Sequence, residues 1–172
     1  MTEPDAESPD VLELLEADHR RIERVLAEST DTAEIVREIA THLVAEDQEL
    51  YREARKQLDA DALVDACLDL DHRLEETLVR LEDGKADVNT VAELMARHVD
   101  RQESDLFPAL HETVDHDRLV ALGDALQMSV RGAPRHAHPH LPDEGSLEVI
   151  ADAVAARLDQ LRDAYRRGRR SD

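Results

Sequence analysis

His42 and Glu46, four residues apart, fall on one side of a stretch whose other members on that side are Ile35, Ile39 and Leu50. On an α-helix such residues share a face one turn apart. An imidazole and a carboxylate are therefore aimed where an amphipathic helix normally places leucine. Burying an ionised carboxylate costs several kcal/mol unless a partner compensates it, and a metal ion compensates imidazole and carboxylate together. Three further histidines lie in comparable rows. His19 sits among Leu12, Leu15, Ile22 and Leu26; His72 among Val64, Leu68, Glu76 and Val79; His98 among Val91, Leu94, Met95, Gln102 and Leu106. This donor chemistry suits iron or manganese, whereas structural zinc would favour cysteine and calcium would take only oxygen.

Four helices must position these groups. Ser8-Pro9-Asp10 reads as a helix start with Ser8 as its cap, and the first helix runs to about Glu28. Asp31 with Glu34 opens a second helix that ends near Gln57, and a third runs from about Ala62 to Glu82. The third has two adjacent apolar rows, one through Leu63, Cys67, Leu70, Leu74 and Leu78 and the other through His72 and Glu76. Thr90 with Glu93 opens a fourth helix, in which Pro108 removes the hydrogen bond to the Ser104 carbonyl and should loosen that turn. Short connections between amphipathic helices predict an all-α, antiparallel up-down four-helix bundle over residues 9–114.

Residues 1–8 are polar and acidic and are expected to be disordered. Residues 115–172 form an extension: a short helix to about Val130, a proline-rich loop carrying His136, His138 and His140, and a final amphipathic helix ending in Arg166, Arg167, Arg169 and Arg170.

Composition excludes several classes of function. A formal net charge of −20 opposes binding to nucleic acid or to an anionic membrane. With one phenylalanine, two tyrosines and no tryptophan, the chain has no stacking platform for bases or sugars. A single cysteine, Cys67, allows neither a zinc ribbon nor a disulfide framework and reads as a small core residue. The polar start and the lack of any long apolar run predict a cytoplasmic protein, monomeric or weakly self-associating.

The chain also repeats itself. Asp18-His19-Arg20 aligns with Asp71-His72-Arg73, and the run from His42 to Tyr51 aligns with that from His98 to Phe107. Two hairpins built to one plan would bring one core histidine from each helix to a common depth. Donors in excess of one ion's capacity imply two ions, bridged by carboxylates and by solvent oxo or hydroxo oxygen.

These motifs together resemble the hemerythrin-like, or HHE cation-binding, domain over about Asp10 to Glu112. The resemblance implies two non-haem irons, with manganese as the substitute, and implies His19, His42, Glu46, His72, His98 and Glu103 as ligands. Two positions depart from the pattern. Oxygen-carrying hemerythrins have a second histidine four residues after the one on the third helix, where this chain has Glu76; an anionic ligand there favours ferric iron and redox turnover over reversible oxygen carriage. Glu23 holds the corresponding place on the first helix, as a further ligand or a supporting partner.

On the fourth helix the residue four after His98 is Gln102, and the carboxylate, Glu103, comes at five. A spacing of five turns a side chain roughly 140° away on an ideal helix, against roughly 40° for four. Glu103, preferred here over Gln102, therefore needs a locally opened π-helical turn. Asp18 and Asp71 are expected to face away from the metal, and Tyr51 and Phe107 to pack at the bundle end. The implied function is reaction with oxygen, peroxide or nitric oxide in sensing or detoxification, with redox activity on peroxide or nitric oxide as its enzymatic form. The alternatives are reversible oxygen storage and an iron-responsive binding module.

Overall fold

The computed structural model describes residues 8–131 together with Ala156, Asp159 and Gln160. Within residues 8–131 seven α-helices follow one another: α1 (Val11–Glu28), α2 (Thr32–Ala45), α3 (Tyr51–Gln57), α4 (Asp61–Glu82), α5 (Val88–Arg101), α6 (Phe107–Thr113) and α7 (His116–Arg131). α2 runs into α3 through a π-helical turn, Glu46–Leu50, and α5 into α6 through another, Gln102–Leu106. α1 packs on α2 and α5, and α4 on α2 and α5, so four helical columns close into a bundle. Among the described residues there is no strand, and no helix is long and apolar enough to cross a membrane.

The helix starts differ from expectation for a chemical reason. Asp10, rather than Ser8, caps α1: its carboxylate accepts from the Leu12 and Glu13 amides at 2.8 and 2.9 Å, and Glu13 accepts from the Asp10 amide at 3.1 Å. Only Asp10 has a glutamate three residues on to complete the reciprocal pair. Likewise Asp87 caps α5, accepting from the Thr90 amide at 2.8 Å, because an ionised carboxylate is a stronger acceptor at the positive end of a helix than the Thr90 hydroxyl.

In each π-helical turn the closing amide reaches back five residues, Tyr51 to the Glu46 carbonyl and Phe107 to that of Gln102. Pro108 favours the second, since it has no amide to place in the first turn of α6. The first turn contains no proline and occupies the same place in the repeat.

The core is two apolar clusters with a polar layer between them. Leu15, Ala45, Leu50, Tyr51, Leu106, Phe107 and Leu110 belong to one; Ile22, Ile39, Leu43, Leu74, Leu78, Met95 and Val99 belong to the other. His19 lies in sequence between Leu15 and Ile22, His42 between Ile39 and Ala45, and His98 between Met95 and Leu106, so the chain crosses from one cluster to the other at its histidines. Each fully buried leucine or isoleucine stabilises the fold by roughly 1.5–3 kcal/mol, which is how the bundle tolerates a layer that costs free energy.

α7 closes one end of the bundle. Leu119, Leu122 and Leu126 join the first cluster, and Gly123 approaches the start of α1 so closely that a Cβ would lie 2.7 Å from the Pro9 carbonyl oxygen. The N-terminal segment 1–7, the histidine loop and all but three residues of the expected final helix lie outside the described residues.

Candidate metal centre

His19 from α1, His42 from α2, Glu46 from the first π-helical turn and His98 from α5 meet in the polar layer, each at most 1% exposed. They offer one ligand atom apiece, all within 4.8 Å of one another. Glu46 is central: its Oε1 lies 3.0 Å from His42 Nε2 and 3.7 Å from His19 Nε2, and its Oε2 lies 3.4 Å from His98 Nε2. Yet neither carboxylate oxygen takes part in a hydrogen bond, nor does His19 Nε2. Buried polar atoms are nearly always paired. His42 Nε2 and His98 Nε2 lie 3.3 Å apart and can share a proton, but imidazole nitrogens and unpartnered carboxylate oxygens converging in this way suit a cation at their centre.

Two of the three outer nitrogens carry the complementary signal, while His42 Nδ1 has no hydrogen-bond partner. His19 Nδ1 is 2.8 Å from Glu103 Oε1, and His98 Nδ1 is 2.7 Å from Asp71 Oδ1. A carboxylate behind a histidine fixes the ring's tautomer and turns its other nitrogen toward a metal, and such support raises ligand basicity. Arg20 in turn grips both Glu103 oxygens, and Phe107 stacks on the His19 ring with 6° between planes.

The electrostatics show what the metal-free chain does with this charge. Burial alone would push the Glu46 carboxyl up, but His42 and His98 outweigh it and hold the group well below the usual carboxylate range. Burial pulls His98 down, and Glu46 with Asp71 overcomes it, pushing the imidazole up to about 10. A proton on His98 thus balances Glu46 without a metal, and a bound cation would take over that role.

The structure brings together four of the expected ligands and places the others elsewhere. His72, expected in the core, has a side chain 64% exposed, with Nε2 3.3 Å from the exposed Glu76. Asp71, expected to face away, is buried against His98. The buried side of α4 is Val64, Cys67, Asp71, Leu74, Leu78 and Leu81, about 100° around from the row through His72. In the sequence that side is a stripe at three- and four-residue spacing interrupted by one acid, whereas the alignment of His72 with His19 favours the neighbouring row.

Glu23 is half exposed and accepts from Arg20 at 2.6 Å. The second π-helical turn exists, but it carries Gln102 into the core, 0% exposed, and leaves Glu103 on the rim against His19 and Arg20. Asp18 pairs with Arg21 at the surface.

Tyr51 has a part that its packing position did not reveal. Its hydroxyl accepts from Gln102 Nε2 at 2.7 Å, and burial followed by Glu46 raises its pKa well above the usual value. On its outer side Asp71 lines a surface cavity of about 320 Å³ with Asp47, His72 and Glu75.

No family model matches the chain, and no solved structure does. The chain is similar to a protein of Schizosaccharomyces pombe (strain 972 / ATCC 24843) named as an uncharacterised hemerythrin-like protein. The two are 26% identical over 163 residues, which is 87% of this chain and 79% of that protein. This similarity supports a distant relationship to hemerythrin-like proteins, and the buried histidine–glutamate group is one that could hold a metal ion.

Proposed function

We propose that this chain is a non-haem iron protein whose centre, His19, His42, Glu46 and His98, takes a small molecule of the oxygen, peroxide or nitric oxide class for sensing or detoxification. The observation that carries the reading is four buried ligand atoms within 4.8 Å, with both Glu46 oxygens and His19 Nε2 left unbonded. Iron bound by imidazoles and a carboxylate supplies a redox couple and open positions for such a ligand. The protein's own part is orientation and exclusion. Glu103 and Asp71 hold the His19 and His98 rings, Phe107 covers His19, and the two apolar clusters keep bulk water from Glu46.

The case for two ions was the number of converging donors. Four suit one ion, so one iron per chain is the proposal. Glu76, whose negative charge argued against reversible oxygen binding, is 59% exposed, so turnover and carriage are separated by experiment. Iron per chain would be measured by elemental analysis, with optical spectra before and after anaerobic reduction and re-exposure to air. About one iron with bands that bleach and do not return reversibly supports redox turnover. Bands that come and go with oxygen make the protein a carrier. About two irons would restore the bridged pair, and none after reconstitution ends the metal reading.

A further inference from the structure

Resting on that metal reading, we infer that Gln102 is a further ligand of the centre, a neutral oxygen donor whose amide is held in place by the Tyr51 hydroxyl. Gln102 opens the second π-helical turn as Glu46 opens the first, and each stands four residues after a histidine of the cluster, His98 and His42. The repeat therefore gives Gln102 the register of the one carboxylate already at the centre. Its side chain is fully buried, and its Oε1, like both Glu46 oxygens, has no hydrogen-bond partner.

The orientation of the amide follows from its neighbours. The Tyr51 hydroxyl accepts from Gln102 Nε2. The amide must turn its NH₂ to Tyr51, at 2.7 Å, and its oxygen the other way. Tyr51 thus fixes the Gln102 amide, as Asp71 fixes the His98 ring. Phe107, which stands where Tyr51 does in the repeat, has no hydroxyl to hold Glu46 in the same way.

An amide in place of a second carboxylate leaves Glu46 as the centre's one anionic donor. The set of three imidazoles, one carboxylate and one amide suits a divalent ion better than a trivalent one. Exchanging the amide for a carboxylate should reverse that preference.

The probe is cobalt(II) alone, added to the full-length metal-free chain, with affinity from competition against a chelator and coordination number from the visible spectrum. With Gln102 bound, the wild-type protein gives the weak absorption of five-coordinate cobalt. Gln102→Ala should bind at least about tenfold more weakly and give the stronger, four-coordinate absorption. Tyr51→Phe, which frees the amide, should lower affinity by a smaller factor. Gln102→Glu keeps an oxygen and the side chain's shape, so it should keep the five-coordinate spectrum and gain affinity for iron(III) relative to iron(II). Cobalt affinity and spectrum unchanged in Gln102→Ala would overturn the ligand role while leaving the metal reading intact. A wild-type chain that takes up no cobalt would overturn both.

Discussion

The first hairpin, α1 with α2 and α3, and the second, α4 with α5 and α6, share a plan but divide the labour of the polar layer unequally. Both break their second helix with a π-helical turn at the same place, and both close that turn with an aromatic residue. The first delivers two histidines and the carboxylate, whereas the second delivers one histidine, an amide and the aspartate behind the histidine. The divergence comes from α4, which is turned by one residue relative to α1, so that Asp71 faces in and His72 faces out. A single residue step is about 100° on a helix, enough to exchange a ligand for a surface side chain without altering the sequence motif.

The sharpest way to break the comparison is to remove the equivalent histidines. His19→Ala should lower metal affinity at least about a hundredfold, the scale expected when an organising ligand of a buried site is lost. His72→Ala should change affinity less than about threefold and stability by no more than about 0.5 kcal/mol, as for most exposed residues. Isothermal titration and thermal unfolding of the two variants would decide the matter. An equal loss in both would return His72 to the centre.

The aspartates preceding those histidines invert the pattern. Asp71→Asn keeps the volume but weakens the acceptor on which the His98 Nδ1–H depends. Metal affinity should fall about tenfold to a hundredfold, in the range measured for partners behind metal-binding histidines. Asp18→Asn, which loses only a surface pair with Arg21, should leave affinity unchanged.

What could be read from the sequence divides along the same line. The four columns, the burial of His19, His42, Glu46 and His98, and the opened turn beside Pro108 follow from local rules: apolar spacing, short connections and a proline without an amide. The rotation of α4 does not, because the row through Leu63, Cys67, Leu70 and Leu74 has an apolar neighbour through Val64, Leu68 and Val79, and packing against α2 and α5 selects between them. The roles of Tyr51 and Asp71 depend on contacts between different helices, Tyr51 to Gln102 across 51 positions and Asp71 to His98 across 27. Spacing within one helix contains no trace of such pairs.

α7 adds a second asymmetry, since its described hydrogen bonds and closest backbone approach are to the first hairpin. Gly123 lies against Pro9, Asp10 and Val11, with no room for a side chain. Gly123→Ala must push α7 from the start of α1 or distort its Asp10 cap, destabilising the fold by about 1–3 kcal/mol despite the higher helix propensity of alanine. Chemical denaturation would measure this. A stabilised Gly123→Ala variant would mean that α7 is not docked there.

The other tie is Glu53, whose counterpart in the second hairpin is Ala109, so a carboxylate clamp to α7 exists on one side of the repeat only. The buried Glu53 carboxylate accepts from Arg118 Nε at 3.1 Å and Nη2 at 2.7 Å, and from Gln57 at 2.8 Å. These bonds, Arg118's first, overcome desolvation and lower its pKa from 4.5 to about 2. The folded state therefore binds fewer protons than the unfolded state between those values, and stability from this group rises with pH across the window. It is fully present above about pH 5 and is lost as pH falls toward 2. Because Arg118 is half exposed and screened by solvent, the contribution at neutral pH is about 1–2 kcal/mol. Glu53→Gln should lose that amount at pH 7, and the difference from wild type should shrink steadily below pH 4.5 in urea titrations. A difference independent of pH would mean that Glu53 acts through its packing and not through its charge.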